Sequence, residues 1–192
     1  VRRIDDLLDM TTQESNRLST ASHLIRPSIE ESLVFLKKEI KRLRQKVREH
    51  IDNHPDLKNN RDLLNSISGI GEATIAQLLA FIGDVSRFKK AKQIAAFIGL
   101  NPKHHQSGSS SNGKVRISKI GHACLRKSLY LPAIVASRHN KLIKEFADNL
   151  KKNGKKGKVV ICAVMRKLIH IVYGVLKSGI PVNPDYLLNK VF

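Results

Sequence analysis

The chain has 192 residues, with 35 Lys/Arg against 16 Asp/Glu and a formal net charge of +19. That length suits one sizeable core, or a small domain plus an extended element. No apolar run reaches the roughly 18 residues of a membrane span, and the opening VRRIDDLLDM has neither the apolar core of a signal peptide nor an initiator Met, so the chain reads as a fragment or processed piece. The charge is uneven. Residues 1–84 hold 13 basic and 13 acidic residues; residues 85–192 hold 22 basic residues and three acids, Glu145, Asp148 and Asp185. Between Asp84 and Glu145 stand 60 residues without a carboxylate. Like charges repel in a compact state, so such a stretch makes sense when a polyanion supplies the missing negative charge. Nucleic acid is the expected partner. A membrane surface is not expected, because the cations do not line one amphipathic helix opposite bulky aromatics.

Residues 1–24 read as a helix carrying Ile4, Leu7, Leu8, Leu18 and Leu24. A second helix begins at Pro27, with Glu30 and Glu31 in its opening turns, and Pro55 closes it. Within it Ile29, Leu33, Leu36, Ile40, Leu43, Val47 and Ile51 recur at steps of three and four, nearly a heptad seam. This arm is either a helical hairpin within one chain or a coiled coil between two. Its acids alternate with bases as ion-pair partners do and form no metal cluster.

Residues 63–82, LLNSISGIGEATIAQLLAFI, resemble a helix-hairpin-helix, a small binder of the DNA backbone. Gly69 and Gly71 permit positive φ and close approach, and the following helix offers free N–H groups to a phosphate. Glu72 at the helix start would compete with that phosphate, and a plain helical corner without a ligand stays open. Ser86 is expected to cap a helix over 87–98, stopped by Gly99.

The run Ser107-Gly-Ser-Ser-Ser-Asn-Gly-Lys114 comes near a nucleotide-binding P-loop but fails its context. Polar residues, among them Pro102, His104 and His105, precede it instead of a buried strand. Val115 stands where a magnesium-binding Ser or Thr belongs. A flexible linker is compatible with the composition. Basic flanks point instead to a loop that brings a hydroxyl to a phosphodiester, with Arg and Lys neutralising charge on the phosphoryl oxygens. Ser107, Ser109, Ser110 and Ser111 all qualify. Around them lie Lys114, Arg116, Lys119, His122, Arg126 and Lys127, the last four on or beside a helix expected to start near Ser118, with Ile120, Cys124, Leu125, Leu129 and Tyr130 on its apolar side. His104 or His105 could act as base, although a histidine in such a loop more often contacts solvent or phosphate.

A short helix over 139–152 turns Leu142, Ile143, Phe146 and Leu150 inward. The turn KKNGKKGK that follows, with Lys155, Lys156 and Lys158, is either solvated or contacts a nucleic-acid backbone. Residues 159–177 are the expected core helix, ended by Gly179 and Pro181, and His170 on it reads as a satisfied core or groove histidine. Cys124 and Cys162, in apolar runs without metal spacing, read as reduced core residues. With no period-2 apolar pattern, the fold class is mainly α: an extended helical coiled-coil arm followed by a compact helical domain containing a helix-hairpin-helix-like motif.

The segments SISGIG, FIGDVSRF, AAFIGLNP, QSGSS, SKIGH, LRKSLYLPA, NGKKGKV and MRKLIHIVYGVLKSG, between Ser66 and Gly179, resemble the C-terminal transposase domain of the insertion-sequence one-ten family, serine transposases related to the Piv DNA invertase. The preceding arm resembles that family's coiled coil. The resemblance implies an arm at 1–56, a transposase domain at 57–182 and a tail at 183–192. It further implies that Ser107 is the nucleophile, forming a transient phosphoserine link to DNA, and that the cationic residues above, with Gly69 and Gly71, meet nucleic acid. A RuvC-like domain with an Asp-Glu-Asp-Asp magnesium site, not contained in these 192 residues, would act with it. No cofactor or metal site is expected in this chain, which alone should bind nucleic acid without cutting it. DNA strand exchange needs at least two subunits, so a homodimer or tetramer through the arm is expected, and the reduced cysteines suit a bacterial, cytoplasmic, nucleoid-associated location; the resemblance adds a structured guide RNA, as in some members. Without the resemblance, a non-catalytic DNA- or guide-RNA-binding and dimerisation module stays open, as does a structural assembly factor.

Overall fold

The structure is a computed structural model that describes residues 1–103, 106–107, 111–112, 116–118 and 120–182; for residues 103, 106, 107, 111, 112 and 116 only the backbone is described. As expected, the described residues are mainly helical. They fall into two compact units, Val1–Lys58 and Asn59–Phe192.

In the first unit, helix α1 (Arg2–Thr20) and helix α2 (Arg26–Asp52) pack against each other. Pro27 lies in the first turn of α2, where its missing N–H costs nothing. Leu7 of α1 meets Leu36 and Ile40 of α2, flanked by Ile4 and Leu43. The arm is thus a hairpin within one chain. All seven residues of the expected seam are buried or half-buried. Arg42 donates twice to Glu39, at 2.8 and 2.5 Å, one turn apart on the exposed side. That pair holds the Glu39 carboxyl below its ordinary range.

Helix α3 (Pro55–Asn65) begins at the proline that stops α2, and the division between the units falls inside it. In the second unit a corner leads to α4 (Glu72–Ile82), then to a 3-10 turn (Val85–Arg87) and α5 (Ala91–Ile98). Two short antiparallel ladders follow. β1 (Pro102–Lys103) pairs with β4 (Arg116–Ile117), and β2 (Gln106–Ser107) with β3 (Ser111–Asn112). They nest in a hairpin that the strandless sequence reading lacks, since its polar residues carry no alternation to betray it. After it come α6 (Ala123–Ser128), α7 (Tyr130–His139), α8 (Lys141–Lys152) and α9 (Gly157–Ser178).

The expected core helix is the centre of this unit. Val160, Val164, Met165, Leu168, Ile169, Val172 and Val175 of α9 are buried, at helical spacing on one side, and α5, α7 and α8 pack on the helix. α9 is long and apolar enough to cross a membrane by length and composition, but it carries the packing of its own domain. Gly179 ends it in a left-handed conformation.

Three local expectations are corrected. Ser86 caps no helix: the Asp84 carboxylate accepts from Ser86 N (2.8 Å) and Ser86 Oγ (2.5 Å), and α5 starts at Ala91 because Phe88 and Lys90 are extended. Gln93 Oε1 instead accepts from the N–H groups of Lys89 (2.6 Å) and Lys90 (3.2 Å). The helix expected from Ser118 begins at Ala123, so Ile120 is 70% exposed rather than inward. Its start is held back by Gly121, whose φ of +130° no helix contains.

Candidate nucleic-acid interface and nucleophile

The hairpin is held at its base. Ser118 N donates to Asn101 O at 2.7 Å and His122 N to Phe97 O at 3.2 Å, so the exits of α5 and of β4 are tied together. Two glycines make this crossing possible. A Cβ on Gly99 would lie 2.6 Å from Ile120 O, and one on Gly121 would overlap Phe97 O. In the sequence Gly99 reads only as a helix stop, and Gly121 falls inside the helix expected from Ser118.

Aromatic rings fill the space beside that crossing. The His122 ring lies 4.3 Å from Phe97 and 5.3 Å from Phe81, and Phe97 meets Phe88 edge-on at 5.6 Å. His122 also occupies the N-cap position of α6 without a side-chain cap bond. This expected phosphate contact is therefore a half-buried packing element whose ring joins α4, α5 and α6. Arg126 is likewise engaged: its Nη1 donates to Ile98 O at 2.7 Å, placing a cation at the C-terminus of α5, where the helix dipole favours it. Neither arrangement was legible in the sequence, because both partners lie far along the chain.

The backbone of Ser107 is paired with Ser111 in the inner ladder. Its side chain lies outside the described residues, as do those of Ser111 and Arg116; His104, His105, Ser109, Ser110, Lys114 and Lys119 lie wholly outside them. Lys127, next to Arg126 on α6, is exposed. Lys155, Lys156 and Lys158 are all exposed in the turn from α8 into α9, which closes through Gly154 N to Lys151 O (2.9 Å) and Lys155 N to Leu150 O (3.0 Å). Lys151 itself pairs with Asp148 at 2.8 Å.

The two glycines of the α3–α4 corner behave differently from each other. Gly69 has φ +100°, and a Cβ there would come 2.9 Å from Ala136 Cβ, so its close approach is to α7 of the same chain. Gly71 has φ −95° and open space around it at the N-terminus of α4. Only Gly69 adopts the positive φ expected of both. The hydroxyl of Ser66 in this corner accepts from Val182 N at 2.9 Å.

Both cysteines are half-buried, and neither is in a disulfide among the described residues. Burial pushes the Cys162 thiol up, partly offset by the nearby Arg126. Cys124 Sγ donates to Gln77 Oε1 at 3.5 Å. His170 is half-buried, and its Nε2 is buried without a hydrogen-bond partner among the described residues, so it is not the satisfied histidine expected.

Residues 61–148 match the model of the Transposase IS116/IS110/IS902 family. The match runs from α3 through the serine hairpin into α8. Over more of its length the chain is similar to pilin gene-inverting proteins: 33% identical over 170 residues to that of Moraxella bovis, covering 88% of this chain and 53% of the relative. It is 24% identical over 180 residues to the insertion element IS110 uncharacterized 43.6 kDa protein of Streptomyces coelicolor, covering 93% of this chain and 43% of the relative. A transposase for insertion sequence element IS1111A of Coxiella burnetii is 38% identical over 78 residues, 41% of this chain and 21% of the relative. The chain spans about half the length of the first relatives it matches.

Proposed function

We propose that this chain is the DNA-binding, nucleophile-bearing part of a transposase or site-specific DNA invertase, with Ser107 as the attacking residue. The observation that carries the reading is the similarity to pilin gene-inverting proteins over 170 residues, running through a hairpin segment without a carboxylate. In this reading Ser107 Oγ bonds to a DNA phosphorus as the P–O bond to the leaving deoxyribose breaks. The leaving oxygen takes up a proton. A phosphodiester replaces a phosphodiester, so the incoming strand's hydroxyl can reverse the step with no external energy source.

A free serine hydroxyl titrates far above neutral pH and is a weak nucleophile unaided. A magnesium ion held by a RuvC-like Asp-Glu-Asp-Asp set elsewhere in the full protein would activate the hydroxyl or stabilise the leaving oxygen. The residues of this chain hold the hairpin base, neutralise phosphate charge and bind the backbone. A structured guide RNA would be a second polyanion for the same basic surface.

The arm would join two or more copies. Its packed seam leaves Val34 and Phe35 of α2 mostly exposed, at 67% and 65%, together with Leu24 and Ile25 in the connection. Strand exchange between two DNA sites needs at least two nucleophiles, which pairing through the arm would supply.

The test is Ser107→Ala in the full-length protein. Recombination should fall by at least about three orders of magnitude, the size typical of losing a covalent nucleophile, with DNA affinity within about twofold. Activity that survives, or that falls only as binding falls, would make the hairpin a grip on phosphate and the chain a non-catalytic binding module.

A further inference from the structure

Away from the hairpin, one more part of the second unit gathers cations. The 3-10 turn and α5 pack on α9. Across that contact Lys92 of α5 and Arg166 of α9 both lie close enough to His170 to disfavour its charged form. Farther along, Arg87 and Lys177 both lie near Asp84. Lys89 lies on the segment that Tyr173 fastens to α9: the Tyr173 hydroxyl lies 2.9 Å from Lys89 O and 3.2 Å from Phe88 O.

Arg166, His170, Tyr173 and Lys177 recur at steps of four, three and four, which places them along one side of α9. Arg87, Lys89, Lys92 and Lys177 are exposed and Arg166 is half-buried. None of the five forms an ion pair within 4 Å among the described residues; the Asp84 carboxylate, held by Ser86, lies near Arg87 and Lys177 and offsets part of their charge.

The segment that carries Arg87 and Lys89 is fastened by its neighbours. The Gln93 side chain ties down the N–H groups of Lys89 and Lys90, Tyr173 ties down the carbonyls of Phe88 and Lys89, and the Arg87 guanidinium lies 5.1 and 5.5 Å from the Phe88 and Phe97 ring centres. A solvated surface of long cationic side chains needs no such fastening of its backbone. A surface that holds a stiff polyanion gains from it, because less ordering remains to be done on binding.

We infer that the seam between α5 and α9, lined by Arg87, Lys89, Lys92, Arg166 and Lys177, is a second track for the phosphate backbone of duplex DNA, separate from the serine hairpin. This rests on the DNA-acting reading above and adds to it a face on which DNA would lie. Contacts of this kind position a duplex without reading its sequence, so the track would hold DNA while the hairpin works at one phosphate.

The experiment is titration of a short fluorescent duplex with the 192-residue chain between about 50 and 200 mM salt. Wild type is compared with the triple variant K89A/K92A/R166A and with K37A/K38A/K41A on the charge-balanced arm. Each lost phosphate contact lowers the salt slope by about 0.9 on duplex DNA. The seam triple should therefore lower it by roughly 2–3 and weaken binding by at least about tenfold, while the arm triple leaves both near wild type. Lys92→Glu, at an exposed position, carries the same expectation at smaller size should the triple fail to fold.

Wild-type binding with a seam triple of unchanged slope and affinity overturns the track and leaves the proposed function standing. Loss of binding to an RNA stem with duplex binding intact overturns it in favour of RNA. A wild-type chain that binds no duplex at the lowest salt overturns both.

Discussion

Gly121 and His170 show what single residues do here. Gly121 lets the chain leave the hairpin and cross the end of α5 at backbone contact, with φ +130° and Phe97 O where a Cβ would be. Gly121→Ala combines a conformational cost of about 1–3 kcal/mol with a clash against backbone that cannot swing away. A fall in Tm of roughly 5 °C or more is expected, along with weakened DNA binding; a wild-type melting curve would contradict the assigned crossing. At His170 burial is the main influence, followed by Arg166, Lys167 and Lys92, and all of them hold its pKa below the ordinary imidazole value. The unfolded chain therefore takes up this proton at higher pH than the folded chain does. The contribution to stability is complete above about pH 6.5 and declines as pH falls through that value toward the lower folded pKa. Thermal melts of wild type and His170→Gln at about pH 7.5 and 5.5 test it: wild type should lose more Tm on acidification than the variant, and equal losses would show that His170 carries none of the dependence. The sequence marked His170 as a core or groove histidine but could not show its orphaned Nε2, because hydrogen-bond satisfaction depends on which groups arrive from elsewhere in the chain.

Helices with strong punctuation were legible. Pro27 and Pro55 bracket α2, and Gly179 ends α9, because these residues fix or free φ regardless of tertiary context. The seam of α2 was equally plain, but a heptad repeat buries its stripe equally well on a helix of the same chain or of another. Packing of Leu7 on Leu36 and Ile40 decides for the hairpin and leaves Phe35 outward. Phe35→Glu tests whether that outward side joins copies. Light scattering should show a wild-type dimer or larger assembly and a variant of lower mass, with the hairpin's helicity unchanged because its core is untouched. A monomeric wild type, or a variant of the same mass, would rule out this face. The short ladders around Ser107 were illegible for the opposite reason: they are two residues each with no apolar alternation, and they are held by ties at Asn101, Phe97, Ser118 and His122 that only the folded chain brings together.

Across the whole molecule, charge was the clearest message of the sequence. The 60 residues from Val85 to Lys144 contain no carboxylate, and this stretch includes the serine hairpin and all of α5, α6 and α7. Composition alone could not say which cations stay available. Folding commits Arg126 to the end of α5 and places the His122 ring against Phe97, while Lys89 and Lys92 remain outward. The account as a whole stands on a covalent step at one hydroxyl. The most direct measurement incubates full-length protein and the 192-residue chain with a recombination-site duplex in magnesium, traps covalent species with denaturant, and maps the attached peptide by mass spectrometry. The account predicts a DNA adduct on Ser107 for the full-length protein and none for the chain alone; an adduct on another residue, or recombination that proceeds with no protein–DNA link, would contradict it.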